Sequence, residues 1–598
     1  MNGVGMVDSK GVARSADAVD AAGTANAVNG ANAANAATPA STTASAPAGG
    51  VAPVSRRVMN LAYWLTQAAR RFPARPALIL DRRIVTWRTL DARVDALARH
   101  LAGRGIGKGD RVLVHSKNCA AFVETMFAAF RLGAVWVPTN FRIAPDEAAY
   151  LAQASGARAV ICHADFPGHA RAMAEALPGL EVLLRIGPGD FGLGETAYAD
   201  DAANDATDTA TDATADAATA VSQSTTPAPF RNADVEYDDP CWFFFTSGTT
   251  GRPKAGVLTH GQMGFVITNH LCDLMPGTTE NDVSMAVAPL SHGAGIHLLT
   301  QVARAAATVL PPDGRFDADR LWRLVSEHRV TNMFTVPTIV KMLVEHPAVD
   351  AHDHGSLRYV IYAGAPMYRE DQKRALEKLG PVLVQYFGLG EVTGNITVLP
   401  PALHRIQDDA AARVGTCGYA RTAMQVSIQD EDGNEVAPGE QGEICVCGPA
   451  VFAGYYNNPE ANAKAFRNGW FRTGDLGHMD AEGFVYITGR ASDMYISGGS
   501  NVYPREIEEK VLAHPAVAEV AVVGVPDPTW GEVGIMVCVP RPGQAIDETA
   551  MMGWLEGCLA RYKLPRRVFF WDALPRSGYG KITKTLVREA LRERGCLS

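Results

Sequence analysis

The stretch FFFTSGTTGRPKAGVLTH, Phe243 to His260, decides how this chain folds and what it holds. Three consecutive phenylalanines favour a strand, because aromatic side chains fit a pleated, half-buried surface. The strand gives way to Thr246, Ser247, Gly248, Thr249, Thr250 and Gly251, and the run closes on Lys254. The two glycines permit positive φ and close backbone approach, so successive N–H groups can converge on an anion. The hydroxyls add donors and Lys254 adds a point charge. A phosphate loop that opens a helix requires Gly-Lys-Ser or Gly-Lys-Thr in direct succession. Here Arg252 and Pro253 intervene, and Pro253 stops the loop from running on as a helix. The stretch reads as an anion cradle of another kind. A plain Gly/Thr linker between two strands stays open on these residues alone.

On either side of this loop the pattern is α/β. TWRTLDARVDALARHLAGRGIGKGDRVLVHS predicts a helix with Leu90, Val94, Leu97 and Leu101 on one face, then a Gly turn and the strand RVLVHS. ETMFAAFRLGAVWVPTN, LWRLVSEHRVTNMFTVP and QKRALEKLGPVLVQYFG repeat the helix-then-strand order. Short unbroken apolar strands between helices argue for parallel sheets covered by helices. After about residue 489 the character changes. A helix opening at Pro504, Val-rich strands and the helix of DETAMMGWLEGCLARY form a compact α+β module. The expected fold is therefore α/β: a large N-terminal domain of helix-covered, mostly parallel sheets over 58–489, and a small α+β C-terminal domain over 490–598.

Residues 1–57 carry almost no large apolar groups and read as a disordered tail, because they cannot bury enough surface to offset ordering. An acidic low-complexity insert is expected at 196–229. It holds Asp200, Asp201, Asp205, Asp208, Asp212 and Asp216, so most of the formal net charge of −9 is local and no basic stripe for nucleic acid exists. No apolar run approaches the ~18 residues of a membrane span. The N-terminus has no apolar core of a secretory signal. The ten cysteines form no CxxC pair. Cys445 and Cys447 alternate as on one strand face, which predicts core thiols in a reduced, cytoplasmic protein.

At TSGTTGRPKAGVLTH the chain resembles the adenylate-forming (AMP-binding) superfamily: acyl- and aryl-CoA synthetases, peptide-synthetase adenylation domains and firefly-type luciferases. The resemblance runs in order from about Leu61 to the end, apart from the acidic insert. It implies that the opening loop grips the β- and γ-phosphates of ATP while a carboxylate attacks the α-phosphorus. In APLSHGAGIH it implies a functional imidazole, His292, near the acyl pocket, with Ser291 where the family usually has an aromatic residue. YAGAPM resembles the adenine-side turn, with Gly364, Ala365 and Pro366 passing close to the base. QYFGLGEVTG supplies Phe387 to stack on adenine, Gly388, and Glu391 to bind Mg²⁺. Gly390 stands where the family has a Thr that contacts the α-phosphate.

WFRTGDLG supplies Asp475 for the ribose hydroxyls, and Arg490 is carried over as a second ribose contact. The family's hinge position falls on Ser492, beside Asp493. Gly498 and Gly499 fit a loop approaching the pantetheine arm of coenzyme A. In LPRSGYGKITK, Lys581 takes the place of the adenylation lysine on a loop made mobile by Gly578 and Gly580.

The implied enzyme is an ATP-dependent acid–CoA ligase forming acyl-CoA, AMP and pyrophosphate through an acyl-adenylate. Its small C-terminal domain is expected to rotate on a hinge between the two steps. A fatty acid is the expected substrate and an aryl acid the alternative. The other readings are loading of a carrier protein in trans and a non-catalytic nucleotide-binding protein. With the sequence ending soon after Lys584, no fused carrier domain is expected, which favours CoA. Acid-pocket residues are expected in Val287–His297, Val336–Ile339, Tyr362–Met367 and Gln385–Gly388, where no Arg or Lys calls for a second carboxylate.

Overall fold

Helix-then-strand units form wherever the sequence alternates. Trp87–Gly103 is a helix whose N-terminus is capped by Thr86, the hydroxyl accepting from the Thr89 N–H. Leu90, Val94, Leu97 and Leu101 are buried on one side of it, as their spacing predicts. The helix Ala120–Leu132 ends at Gly133 with φ +67°, which lets the chain reverse directly into the strand Val135–Thr139. The computed structural model describes residues 55–81, 83–198, 230–247, 252–312, 316–365, 367–409, 412–576 and 582–597.

Two large sheets carry the N-terminal part. In the seven-stranded sheet the strands Arg111–His115, Val135–Thr139, Ala159–His163, Val182–Ile186 and Thr196–Ala197 run parallel, and the hairpin Pro240–Ser247/Pro253–Thr259 closes one edge. The fourteen-stranded sheet is parallel through Ala307–Val309, Val283–Ala286, Asn332–Thr335, Tyr359–Tyr362 and Leu383–Phe387. Beyond Leu383–Phe387 it continues antiparallel through Thr397–Leu399 and Thr416–Ala420 to Phe484–Arg490 and Trp470–Met479. The fold class is the expected α/β with a smaller C-terminal domain. The antiparallel half is an addition, because residues of a strand buried on both faces do not report its direction.

After Arg490 the chain crosses to a five-stranded sheet built on the long pair Val517–Asp527/Gly531–Pro540. The helix Pro504–Leu512 packs on it, with Pro504 in the first turn as the sequence predicts.

Three local expectations shift. Arg57 and Val58 pair with Glu236 and Val235, so the tail's expected limit at 57 runs into a strand. Thr196–Ala197, within the expected insert, pair in the seven-stranded sheet, and 199–229 lie outside the described residues. Cys445 is a core thiol whose pKa burial raises to about 11, but Cys447 is exposed at the end of its strand.

Candidate active site

The opening loop joins two antiparallel strands in register, Thr246 opposite Lys254 and Ser247 opposite Pro253. Strand pairing resumes at Pro253, so a hairpin and not a strand-to-helix turn presents this loop. Gly248, Thr249, Thr250 and Gly251, and the side chain of Ser247, lie outside the described residues. On the far limb the Tyr150 hydroxyl donates to the Pro253 carbonyl (3.2 Å), and the Arg252 guanidinium lies 5.4 Å from the Tyr150 ring. Lys254 Nζ sits 5.2 Å from the centre of the Tyr455 ring.

Glu391 is buried at 6% exposure in a short 3-10 turn after the strand Leu383–Phe387. Two hydroxyls converge on its Oε1: Thr246 Oγ1 donates at 2.9 Å and the Tyr455 hydroxyl at 2.9 Å. Burial, then the Glu391 charge, raises the Tyr455 pKa, so that phenol stays protonated and donates. A Cβ at Gly390 would stand 2.7 Å from Cδ1 of Phe244 and 2.8 Å from Cγ2 of Thr246. At Gly388 it would stand 2.4 Å from the backbone of Gly394. Both positions are sterically closed to side chains.

His292 precedes the helix Gly293–Arg304. Its Nδ1 pairs with Ser291 Oγ at 3.0 Å, and its ring meets Phe244 edge-on at 5.4 Å. Ser291, which replaces the expected aromatic, thus becomes a polar partner of the imidazole. Next to it, a Cβ at Gly293 would come within 2.6 Å of Phe334 and 3.3 Å of the Tyr386 hydroxyl. Phe334 and Tyr386 stack at 5.8 Å.

Asp475 is 4% exposed and lies directly across the sheet from Arg490. Arg490 Nε reaches Asp475 Oδ1 at 2.9 Å, whereas Oδ2 is buried with no partner among the described residues. Burial raises the Asp475 pKa to about 6; Arg490 opposes that shift, while the Asp493 and Glu391 carboxylates add to it. A buried acceptor without a donor is costly. Two vicinal hydroxyls of a ribose are the kind of donor that it lacks. Gly364, with φ +80°, and Ala365 are exposed after the strand Tyr359–Tyr362, and half-buried Phe387 ends the next strand. These residues gather at the carboxyl ends of parallel strands, where open α/β sheets bind ligands.

In the C-terminal part Gly498 (φ +57°) and Gly499 (φ +81°) form the two-residue turn between Tyr495–Ser497 and Ser500–Val502. The Gly498 N–H donates to the Trp530 carbonyl at 2.9 Å. Ser492 is exposed and Asp493 follows it, half-buried. Pro366, Gly578, Gly580 and Lys581 lie outside the described residues.

Among the described residues no cluster of three His, Cys, Asp or Glu side chains could cage a metal ion. Mg²⁺ keeps several waters and takes one or two carboxylates together with phosphate oxygens. Glu391 fits that demand: both hydroxyls bind Oε1, which orients Oε2 as an oxygen ligand. The sequence reading missed Tyr455 and Phe244 as parts of this site. Tyr455 is 64 residues from Glu391, and Phe244 read only as a strand residue.

A family model described as AMP-binding enzyme matches residues 65–456, and one described as AMP-binding enzyme C-terminal domain matches 506–581. The chain is 35% identical to a feruloyl-CoA synthase from Amycolatopsis sp, over 89% of this chain and 99% of that protein. It is 33% identical to an indoleacetate–CoA ligase from Aromatoleum aromaticum, over 89% of this chain and 98% of that one. Identity is also 33% to a long-chain-fatty-acid–CoA ligase from Mycobacterium tuberculosis, with the same two coverages. Among solved structures, ATP-bound MatB from Rhodopseudomonas palustris superposes with a TM-score of 0.75 at 30% identity, over 90% of this chain and all of that one. An amide bond synthetase from Marinactinospora thermotolerans gives 0.77 at 26% identity, over 89% and 99%.

Proposed function

The chain belongs to the AMP-binding, adenylate-forming enzymes and is an acid–CoA ligase, and from that premise we propose that its acid is compact and aromatic. The observation that carries this reading is the stacked Phe334–Tyr386 pair against Gly293, beside His292, where not even a methyl group has room. An acid seated beside this crowded aromatic surface would be favoured if short and flat over a long alkyl chain. Similarity to the feruloyl and indoleacetate ligases supports the same direction. A fatty acid, the first expectation from sequence, stands as the second reading, supported by similarity to the mycobacterial ligase.

The residues divide the work by position. Asp475 Oδ2 accepts from the ribose while Arg490 keeps that carboxylate oriented. Gly364, Ala365 and Phe387 border the adenine. Lys254 and Thr246, with the residues between them, take the β- and γ-phosphates in this reading. Glu391 would hold Mg²⁺, whose chemistry would be to neutralise charge developing on the phosphates. His292 stands beside the carboxylate, which attacks the α-phosphorus and displaces pyrophosphate. The CoA thiol, guided past Gly498 and Gly499, then attacks the acyl carbonyl and releases AMP. Lys581 stabilises the first of these steps. A reduced cytoplasmic setting belongs to this reading, supported by ten free thiols. No described helix is long and apolar enough to cross a membrane.

The test is AMP release, with CoA or with a phosphopantetheinyl carrier protein, over ferulate, indole-3-acetate, benzoate, octanoate and palmitate. We expect CoA as acceptor and kcat/KM for the best aryl acid at least about tenfold above palmitate, the scale of a misfit hydrophobic pocket. Palmitate as the best substrate overturns the aromatic reading, and a preference for the carrier overturns CoA.

A further inference from the structure

We propose that Phe244, Gly390, Thr246 and Tyr455 form a positioning unit for Glu391, in which the Phe244 ring fills the space a side chain at 390 would take. The inference rests on the Mg·ATP reading of this site and assigns roles to residues that do not touch the reacting atoms.

Three contacts meet at this point. First, the Phe244 ring is 9% exposed, and two of its ring carbons stand 2.7 Å from an ideal Cβ at Gly390. Real Cβ contacts do not come that close, so any residue but glycine at 390 must push the ring or the Thr246 methyl aside. Second, that methyl belongs to the side chain whose hydroxyl binds Glu391 Oε1. A push at 390 is therefore transmitted to the carboxylate through Thr246. Third, the opposite face of the Glu391 bond is closed by Tyr455, whose strand-like backbone is held by the Val257 N–H donating to the Gly454 carbonyl and by the bridge from Gly256 to Tyr455. Tyr455 is thus fixed to the same hairpin that carries Thr246. Phe244 lies two residues before Thr246 on one strand face and also meets His292 edge-on.

The consequence is that Gly390 is not a weakened version of a position that wants a hydroxyl. Its missing side chain is matched by Phe244, and the hydroxyls near Glu391 come from the hairpin and from Tyr455. Two donors on one oxygen leave the other oxygen's direction fixed before any cation arrives, which is the preorganisation a single-carboxylate Mg²⁺ contact needs.

The experiment is isothermal calorimetry of ATP with and without Mg²⁺ on the full chain, with thermal melting as a control. The ratio of the two affinities reports how well Glu391 is set for the cation and needs no knowledge of the acid. We expect Gly390→Ala, Thr246→Val and Tyr455→Phe each to reduce that ratio about tenfold, and Tyr455→Phe, at a residue with no assigned ATP contact, to leave the Mg²⁺-free affinity unchanged. Phe244→Leu in the Gly390→Ala background should return the ratio to within about threefold of wild type. An unchanged ratio in Tyr455→Phe and Thr246→Val, which remove hydroxyls without adding bulk, overturns the positioning role even if Gly390→Ala fails to fold. Failure of Phe244→Leu to rescue a folded Gly390→Ala overturns the Phe244–Gly390 pairing. A wild-type ratio of one overturns both this inference and the Mg·ATP reading, which keeps the two failures distinguishable.

Discussion

Asp475 has one oxygen held by Arg490 and the other buried without a donor, so folding confines a charge that it only half compensates. With its pKa raised from 3.8 to about 6, because burial outweighs Arg490, the sign of its linkage is the reverse of that of a carboxylate whose pKa folding lowers. The ionised group costs the fold about 3 kcal/mol above pH 6, and this cost fades as pH falls and is gone below the unfolded value. Nucleotide binding runs the other way, because ribose hydroxyls donate best to the ionised form. We expect ATP affinity to be flat from pH 7 to 8 and to weaken by up to about tenfold per unit below pH 6, with Asp475→Asn weak and pH-independent. Calorimetric Kd values between pH 5 and 8 check this. The pairing of Asp475 with Arg490 could be anticipated from sequence because each sits in a local motif. The partners of Glu391 were not, because Thr246 and Tyr455 reach it across 145 and 64 residues and no spacing rule spans such loops.

Strand ends do the positioning at the next scale. The strand Leu383–Phe387 delivers Phe387, then turns at Gly388 with the Gly394 backbone 2.4 Å from where a Cβ would be. A flexible side chain could yield, but a backbone that closes the same turn cannot. Gly388→Ala should therefore cost about 1–3 kcal/mol and lower ATP affinity with it, measured by urea unfolding and calorimetry on the same protein. Gly364→Ala tests a backbone cost: that residue is exposed at φ +80°, a conformation L side chains rarely adopt. Periodicity made the helix-then-strand units readable, as Leu90, Val94, Leu97 and Leu101 show. It did not reveal that Thr397–Leu399 and its successors run antiparallel, nor that Arg57 enters a strand, since both depend on which partner is adjacent.

For the whole molecule the question is how one site serves two reactions. If Lys581 belongs to the first step alone, Lys581→Ala should reduce ATP–pyrophosphate exchange by at least about 100-fold. CoA transfer from preformed acyl-adenylate should stay within about threefold of wild type. Equal loss of both half-reactions would remove the division of labour from the C-terminal domain. The split into a larger and a smaller part was legible from the change in character after residue 489. The surfaces between them were not: Lys341 Nζ reaches the Ala518 carbonyl at 3.4 Å and Arg541 pairs with Glu345 at 3.8 Å, contacts between ordinary surface charges with no sequence signature.

Arg490 is the last residue of the strand Phe484–Arg490, and the N–H of Ala491 still donates to the Gly474 carbonyl beside Asp475. The N–H groups of Asp493 and Met494 then turn back onto the Arg490 carbonyl, and the next strand, Tyr495–Ser497, already belongs to the other sheet. The side chain that steadies Asp475 is therefore also the mooring from which the smaller part of the chain departs. If the proposed ribose role and domain rotation hold, grip on the sugar and swing of the domain would act on one residue's backbone, as a door handle mounted on its own hinge pin. On the same two proposals, a nucleotide that tightened Asp475 against Arg490 would stiffen the pivot it must later let turn.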